Sequence, residues 1–579
     1  MVLAMICVLT SARGQWQTRL VTSNGLLAAV IRTDDGSVTD VFPRSYRAFD
    51  SLRSVAPFLR ELRLRGNDRP LRVRYGGNTH IVEVEYPRVK VSYFAPFTIG
   101  ERVFYAVVEG EKAQVDSAAF QWTSATGGLR TLDMTFGGGT APHRRYFLFA
   151  AQDSTAGDGG DLRPSRARLQ TSGGVLLEDE MRYMRFVIDR AKLPPHLSPE
   201  ERNLAEQSIT VLKMSQVSPF ESVIRSRGQI LASLPPGEWN IAWVRDGCYA
   251  IMALTRVGLY EEARDGLRFF LNAESGFYRR YVHTDGRDYG VGVPYRISVC
   301  RYFGGGAEES DFNPDGPNIE LDGFGLFLAA YCDYIARSGD SLFVREFYPV
   351  VAEQVAEVVL RLIAPNGCIR QDSGPWERHL PGKQYAFTSI ACARGLSDFA
   401  ELGRRHGAPD WQRYDAGAER IREGIQRLLL VGGKYIKGNV PARRQSEYEY
   451  FDAASFEAFG LGVIRDPDLF PAHLKVLEKY LRIPGKQRGF RRVNGGDGYD
   501  SAEWVFLDLR IASAMCRFGM KAKARSLIGW VTAQSSRNHN LIAELYGAKT
   551  ARYEGAVPMA GFGAGAYLLA LADWYEGSR

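Results

Sequence analysis

The sequence predicts a multidomain protein in which an N-terminal antiparallel β-sandwich precedes an all-α (α/α)6 toroid. Three observations predict this fold class. Residues 15 to about 190 alternate apolar and polar side chains with a period of two, which is typical of half-buried strands. From about residue 200 the apolar residues recur at helical spacing. The connections between the predicted helices alternate between short and long, which indicates helical hairpins arranged in a ring.

The β region, residues 15–190, opens with a hairpin signal. The segment NGLLAAVIRTDDGSVTDVFP has two apolar runs on either side of Asp35-Gly36, a dipeptide suited to a tight turn. The segment HIVEVEYPRVKVSYFAPF then alternates with period two, and further strand-like runs follow with a turn about every ten residues. This spacing favours a sandwich of antiparallel sheets. The segment DSTAGDGGDLRPSR is predicted to be a loop within it.

The second region is predicted to be helical throughout. Its apolar spacing predicts about twelve helices, near residues 201–215, 244–256, 259–273, 318–338, 340–363, 383–406, 408–430, 452–463, 466–482, 500–518, 520–535 and 556–577.

The connections divide these helices into pairs. Joins within a pair have only a few residues, and the sixth short join would link the last helix to the first. The long connections are residues 217–243, 274–317, 364–382, 431–451, 483–499 and 536–555. A ring of hairpins places all long loops at one end, where a site is normally built. We therefore expect a linker and first helix over residues 191–217 and a catalytic barrel over residues 218–579.

Composition excludes several classes of function. The 579 residues carry a formal charge of +7, but basic and acidic side chains are interspersed, which argues against nucleic acid as a partner. No apolar run approaches the ~20 residues of a membrane span. The seven cysteines form no CxxC and no zinc spacing, so we expect buried free thiols, no metal and no cofactor. The oligomeric state is left open.

The first residues, 1–14, hold a short apolar run that ends in small side chains. This run could be the remnant of a secretory signal, although no basic segment precedes it. It could equally be a strand-forming terminus. A secreted or periplasmic location and a cytoplasmic one therefore stay equally open.

Four clusters of candidate site residues fall in or beside the long loops. They are Trp243, Arg245 and Asp246 in WVRD, Asp322 in DGFGL, Trp376 and Glu377 in GPWE, and Glu544 in AELYG. Each cluster also has a structural interpretation. Either aspartate suits the positive end of a helix, Arg245 and Asp246 suit an ion pair, and Glu544 suits a solvated surface.

Two carboxylates on separate loops, with aromatic side chains and an arginine, suit the cleavage of a glycosidic bond. This reaction needs one carboxyl to protonate the leaving oxygen and another to activate water. An acid that keeps its proton near neutral pH benefits from apolar surroundings, which Trp376 would provide beside Glu377. Trp243, Trp376 and the tyrosines of residues 278–302 could stack on sugar rings, and Arg245 and Asp246 could bind sugar hydroxyls.

The chain resembles glycoside hydrolase family 15, the glucoamylase-like enzymes, which include glucodextranases and some trehalases. SNGLLAAVIRTDDGSVTDVFP resembles the opening strands of the bacterial members. WVRD is similar to the glucose-binding segment of the family, DGFGL to a helix start, GPWE to the general-acid segment and AELYG to the general-base segment. The resemblance implies an inverting, exo-acting α-glucosidase with Glu377 as general acid and Glu544 as general base, which releases β-glucose from non-reducing ends.

The sequence departs from the family pattern around both carboxylates. Leu545 follows Glu544 where the family often has Gln, and Gly561-Phe562 replaces Trp-Ser in the final helix. Arg378, which we expect to contact substrate, follows the acid in place of Glu or Val. These departures leave Glu554 and Glu503 as alternative bases.

Three hypotheses about function remain. The first is hydrolysis of an α-linked gluco-oligosaccharide or disaccharide, with the α-1,4, α-1,6, α-1,2 and trehalose linkages all open. The second is a disaccharide phosphorylase of related architecture, which would need an acid but no second carboxylate. The third is a non-catalytic carbohydrate-binding protein. Cys248 and His379 are interpreted as structural residues.

Overall fold

The computed structural model describes residues 19–46, 57–66, 69–124, 129–138, 141–151, 163–172, 174–235, 237–379, 382–485 and 487–576. The possible signal remnant at residues 1–14 therefore lies outside the described residues. None of the helices in these ranges is both long enough and apolar enough to cross a membrane.

The N-terminal region contains two antiparallel sheets. One has the strand order β1-β2-β3-β4-β9 and the other the order β10-β11-β8-β7-β6-β5. The strands are β1 Arg19–Ser23, β2 Ala28–Arg32, β3 Val38–Phe42, β4 Leu59–Leu64, β5 Arg72–Tyr75, β6 Val82–Glu85, β7 Val89–Phe94, β8 Val103–Gly110, β9 Phe120–Ser124, β10 Leu129–Gly138 and β11 Ala141–Ala151.

The predicted first hairpin is confirmed. Strands β2 and β3 pair around Asp35-Gly36, and Gly36 takes the positive φ of 67° that its turn requires. Side chains of both sheets, such as Ile31 and Tyr93, are fully buried in one apolar core. The period-two pattern thus corresponds to one face of each sheet that is buried in the core.

The prediction of β structure up to residue 190 is wrong in its last part. After β11 the chain forms two helices, α2 Arg163–Ser172 and α3 Leu176–Arg190, and a short helix, α1 Lys112–Asp116, precedes β9. Apolar side chains of α2 and α3, including Leu169 and Leu177, pack on Tyr105 of the six-stranded sheet. These helices cover the second face of that sheet, which explains why β8 is buried on both faces.

Each of the twelve predicted helices is present, with boundaries shifted by a few residues. They are α4 Pro199–Ser215, α5 Val244–Arg256, α6 Tyr260–Asn272, α7 Asp322–Ser338, α8 Ser341–Val351 with α9 Glu357–Leu362, α10 Ala386–Arg405, α11 Trp411–Leu428, α12 Glu457–Gly460, α13 Leu469–Leu481, α14 Val505–Arg517, α15 Lys521–Ser536 and α16 Ala566–Glu576. A π-helical turn, Ala560–Gly565, leads into α16, and a 3-10 turn, Ala453–Phe456, leads into α12.

Six of these helices contact one another in cyclic order. Helix α5 packs against α7, α7 against α10, and α10 against α12. Helix α12 then packs against α14, α14 against α16, and α16 against α5. The partner helices follow the same order, because α6 packs on α5, α11 on α10, α15 on α14 and α4 on α16.

Short strands pair within and between the long loops. They are β12 Ala242–Trp243, β13 Arg301–Tyr302, β14 Glu308–Glu309, β15 Gln384–Tyr385, β16 Leu430–Val431, β17 Tyr435–Ile436, β18 Asn439–Val440, β19 Glu503–Trp504, β20 Leu545–Tyr546 and β21 Tyr553–Glu554. Three of the pairings fix the loops before α5, α10 and α14, namely β12–β13, β15–β18 and β19–β20.

Candidate active site

The predicted site residues lie where the long loops enter the cyclic set of helices. Trp243 ends β12, and Arg245 and Asp246 stand in the first turn of α5. Asp322 is the first residue of α7. Trp376 and Glu377 precede β15 and α10, and Glu544 immediately precedes β20.

Glu377 is held in an unusual backbone conformation. Its φ of 56° lies in the left-handed region, which a residue other than glycine seldom adopts. The turn is closed by the amide of Arg378, which donates to the carbonyl of Ser373 at 3.0 Å. The indole N–H of Trp243 donates to Oε1 of Glu377. Such a conformation persists only when its surroundings fix it, and it often marks a functional residue.

Glu544 is buried and receives three hydrogen bonds. The indole N–H of Trp239 donates to its Oε2 at 3.1 Å, and the amide of Ala556 donates to the same oxygen at 2.9 Å. The hydroxyl of Tyr499 donates to Oε1. Burial raises the pKa of Glu544, and the hydrogen bonds from Tyr499, Ala556 and Trp239 oppose this rise.

One short segment connects the two carboxyl groups. The rings of Trp239 and Trp243 meet edge to face, with centroids 5.6 Å apart and an interplanar angle of 83°. Each indole N–H donates to a different carboxyl, that of Trp239 to Glu544 and that of Trp243 to Glu377. The acid and base predicted from the sequence therefore share a wall built by two tryptophans.

Arg245 is fixed from behind by two carboxylates. Its Nε donates to Oδ2 of Asp322 at 2.8 Å, and its terminal nitrogen Nη2 donates to Oε2 of Glu320 at 2.6 Å. Asp322 is completely buried, so it contacts Arg245 and not the open part of the site. Glu320, which no sequence motif singled out, is buried as well.

Asp246 has a buried carboxyl oxygen, Oδ1, without a hydrogen-bond partner among the described residues. Burial raises the pKa of Asp246 to about 8, Arg245 opposes this, and the nearby charges of Glu544 and Glu377 add to it. A neutral carboxyl in this position can both donate and accept a hydrogen bond.

Trp376 has partners on several other loops of the site. Its indole N–H donates to Asp452 at 3.0 Å, and its ring packs on Trp504 with centroids 5.2 Å apart. The guanidinium of Arg492 stacks over Trp376 at 5.1 Å. The indole of Trp243 contacts Glu377 through a hydrogen bond.

Arg378 belongs to an ionic network that joins three loops. Its Nε donates to Glu449 at 2.6 Å, and its Nη2 donates to Asp500 at 3.0 Å. Asp500 also pairs with Arg492. About a fifth of the Arg378 side chain is exposed, at 21%. The network ties the turn that carries Glu377 to the loop that carries Tyr499, and so to the hydrogen bonds of Glu544.

The two alternative bases lie in other surroundings. Glu503 is completely buried and pairs with Arg488, and it accepts from the indole N–H of Trp530 at 2.8 Å. Glu554 is exposed on β21, opposite Leu545. Side chains alternate between faces along a strand, so Glu554 lies on the same face as its partner Leu545 and on the face opposite to Glu544. Of the three, Glu544 shares the tryptophan wall with Glu377.

The remaining candidates from the sequence are mostly structural. The ring of His379 forms hydrogen bonds with the carbonyl of Gly316 at 2.9 Å and with the side chain of Asn313 at 2.8 Å, and Cys248 is completely buried. Tyr302 is also completely buried, so its ring cannot stack on a sugar. The six described cysteines are free and buried, as expected.

Sulfur and oxygen atoms of Cys300, Glu320 and Glu377 lie within 4.8 Å of one another. The guanidinium of Arg245 already supplies Glu320 with a positive partner, and we assign no cation to this cluster.

Residues 224–497 match the family described as "Glycosyl hydrolases family 15". The matched segment makes up slightly less than half of the chain. It contains the WVRD, DGFGL and GPWE motifs, whereas Glu544 lies beyond it.

Two curated proteins that are similar to this chain are trehalases. That of Mycolicibacterium smegmatis is 24% identical over 377 residues, which cover 62% of this chain and 53% of its own. That of Mycobacterium tuberculosis is 24% identical over 234 residues, covering 39% of this chain and 33% of its own. The chain thus spans a third to a half of these relatives.

Solved structures share the fold. A bacterial glucoamylase complexed with acarbose aligns with a TM-score of 0.65 and 14% identity, covering 97% of this chain and 94% of its own. A glycosidase in complex with glucose aligns with a TM-score of 0.51 and 18% identity, covering 66% of this chain and all of its own. These alignments show that the fold is shared, and the family match adds a likeness in sequence over residues 224–497.

Proposed function

We propose that the protein is an inverting, exo-acting α-glucosidase that releases β-glucose from the non-reducing end of an α-glucoside. The observation that carries the proposal is the shared tryptophan wall. One segment holds Trp239 against Glu544 and Trp243 against Glu377, so two carboxyls from different loops are fixed at one site. Glycosidic hydrolysis with inversion needs such a pair.

The environments of the two carboxyls suit different roles. Glu377 is the general acid that protonates the leaving oxygen, and Glu544 is the general base that removes a proton from the attacking water. The three hydrogen bonds to Glu544 stabilise its ionised form, which is the form a base requires. An inverting enzyme places the carboxyls ~6.5–9.5 Å apart, which leaves room for that water.

Arg245 and Asp246 bind the terminal glucose in this proposal. The buried Oδ1 of Asp246, which has no partner among the described residues, accepts from or donates to a sugar hydroxyl. Asp322 acts through Arg245, because it is completely buried behind the guanidinium. Trp243 contributes its ring face, while Trp376 and Arg378 keep the surrounding loops in place.

The finer architecture is also a proposal. We assign residues 15–190 to the sandwich domain, residues 191–217 to a linker and first helix, and residues 218–579 to an (α/α)6 toroid. The cyclic contacts of α5, α7, α10, α12, α14 and α16 support the toroid. The contacts of α4 with α16 add the first helix to the helical set.

The comparisons support a substrate class for this proposal. The aligned glucoamylase was solved with acarbose, the aligned glycosidase with glucose, and the curated relatives are trehalases. We propose an α-linked gluco-oligosaccharide or disaccharide as the substrate. Which glucosidic linkage the protein cleaves is the question that the following experiment addresses.

The test is incubation with trehalose and with α-1,2, α-1,4 and α-1,6 glucose disaccharides and longer glucans, each with and without phosphate. We expect free glucose without phosphate. Glucose 1-phosphate formed only in phosphate would show a phosphorylase, and no cleavage of any compound would reject the function.

Matched variants test the roles. Glu377→Gln and Glu544→Gln each remove one titrating carboxyl and should lower kcat by at least ~100-fold. Glu554→Gln is the control, because it changes an exposed glutamate ten positions after Glu544 in the sequence and should leave kcat unchanged. Full activity in Glu544→Gln with loss in Glu554→Gln would reassign the base.

A further inference from the structure

The glycine-rich turn between β13 and β14, residues 303–307, lies against Tyr46 of the N-terminal region. The amide of Phe303 donates to the carbonyl of Ala307 at 2.9 Å and closes the turn. A Cβ added at Gly304 would collide with the ring of Tyr46, which follows β3 and is buried. Gly304 does not have a positive φ, so the close approach of this ring, and not the backbone conformation, requires glycine here.

The same turn supports the tryptophan wall. Phe303 and Trp239 both pack against the apolar cluster that contains Trp243. Strand β13 places Arg301 opposite Trp243 of β12, and the guanidinium of Arg301 lies over the ring of Trp243 at 4.6 Å. The indole N–H groups of the two tryptophans donate to the two proposed catalytic carboxyls. A displacement of the turn would therefore displace the donors to both carboxyls.

A second contact holds the connection of residues 217–243 to the N-terminal region. Nη2 of Arg102, which precedes β8, donates to Oε1 of Glu221 at 2.6 Å, and Glu221 is completely buried. Nη1 of Arg102 donates to the carbonyls of Leu26 and Pro43 at 2.9 and 3.0 Å. This connection contains both tryptophans of the wall. The N-terminal region thus contacts each of the two loops from which the wall is built.

We propose that Tyr46 is a positioning residue for the proposed hydrolysis. Its ring fixes the turn of residues 303–307, and this turn fixes the tryptophan wall. The inference rests on the proposed function, because the wall holds the two carboxyls that this function uses. A displacement of a catalytic group by about 1 Å can lower a rate about 100-fold, even when its cause is remote from the reacting atoms. The N-terminal region then acts on turnover as well as on stability.

The experiment measures kcat and KM of Tyr46→Ala and Tyr46→Phe on the glucoside that the wild type cleaves, well below the melting temperature of each variant. We expect kcat of Tyr46→Ala to fall about 10–100-fold. Tyr46→Phe should retain most of the wild-type kcat, because it keeps the ring that packs on the turn. KM should change less than kcat, because Arg245 and Asp246, which bind the terminal glucose in the proposed function, stand in the first turn of α5.

The control is Tyr105→Ala. Tyr105 of β8 is equally buried in the N-terminal region, but it packs in the cluster beneath α2 and α3. Its truncation should lower the melting temperature and leave kcat of the folded protein unchanged.

A second pair of variants tests the contact from the side of the turn. Gly304→Ala places a methyl group against the ring of Tyr46 and should lower kcat, whereas Gly305→Ala adds a methyl group that meets nothing within 4 Å and should not. Removal of the ring relieves the collision. The double variant Tyr46→Ala with Gly304→Ala should therefore lose less than the product of the two single losses, because residues in contact are not additive.

The outcomes separate this inference from the function on which it rests. A wild-type kcat in Tyr46→Ala together with a lowered melting temperature would overturn the positioning role, and so would losses that multiply in the double variant. If Tyr46→Ala does not fold, the comparison of Gly304→Ala with Gly305→Ala decides, and equal kcat values would overturn the proposal. Absence of hydrolysis by the wild type would instead reject the proposed function.

Discussion

Asp246 combines a buried carboxyl oxygen that lacks a partner among the described residues with a pKa raised to about 8. In the unfolded chain an aspartate titrates at about 3.9. Between these two values the folded protein holds a proton that the unfolded chain has lost, so stability falls as pH rises through this window.

Asp246→Asn should therefore raise the melting temperature relative to the wild type more at pH 8 than at pH 5. The amide remains neutral at both values, whereas the aspartate must be kept protonated at a growing cost. Calorimetry at the two pH values measures this difference, and kinetics should show that kcat/KM falls. An equal change in melting temperature at both pH values would contradict the raised pKa.

Tyr499 tunes the proposed base. Its hydroxyl donates to Glu544, and a donor to a carboxylate lowers the pKa of that group. Tyr499→Phe should raise the pKa of Glu544 and move the acid limb of kcat/KM to higher pH. The control is Tyr448→Phe, because Tyr448 is equally exposed, at 39%, but its hydroxyl donates to Asp500. A matching shift in both variants would deny the specific role of Tyr499.

Helices α7 and α10 approach each other closely through glycines. A Cβ added at Gly325 would collide with the carbonyl of Ala391, and one at Gly395 would collide with the carbonyl of Gly325. Neither collision can be relieved by a side-chain rotation, since both involve backbone atoms. This crossing fixes the helix that begins at Asp322 against the one that follows Glu377.

Gly325→Ala should lower the free energy of unfolding by about 1–3 kcal/mol or more, the usual range for overpacking. Gly529→Ala in α15 is the control, because a Cβ there meets nothing within 4 Å and alanine favours the helix by roughly 0.5–1 kcal/mol. Urea unfolding of both variants measures the difference. Equal free energies of unfolding for the two variants would show that α7 and α10 can move apart without cost.

Local features of the chain were predictable, and contacts between distant loops were not. The hairpin at Asp35-Gly36 and the start of α5 at Val244 follow from neighbouring residues alone. Helices α2 and α3 were missed although Leu177, Met184 and Ile188 have helical spacing, because strand patterning was extended across the preceding loop. The change from a period of two to helical spacing is therefore visible in the sequence of α3.

The candidate site divides in the same way. Glu377 and Glu544 were identified from their motifs, but their partners were not. Trp239 lies 305 residues from Glu544, and only the closed order of helices brings them together. Glu320 stands two positions before Asp322 and resembles any polar loop residue in the sequence. Its contact with Arg245 appears only in the folded structure.

In the molecule as a whole, six helices contact one another in cyclic order, and α4 contacts strand β1 of the N-terminal sheets. In this arrangement Glu377 and Glu544 approach the same site from distant parts of the sequence, joined by Trp239 and Trp243. If water attacks from the side opposite the leaving group, the configuration of the sugar inverts. The anomer of the first product therefore tests the proposed roles of both carboxyls together.

The most direct test is proton NMR of the anomeric signals during the first minutes of hydrolysis of an α-glucoside by the wild-type protein, before mutarotation mixes the anomers. We predict that β-glucose appears first and that α-glucose follows only at the rate of spontaneous mutarotation. Initial release of α-glucose would contradict the inverting mechanism and the assignment of Glu544 as a base that activates water.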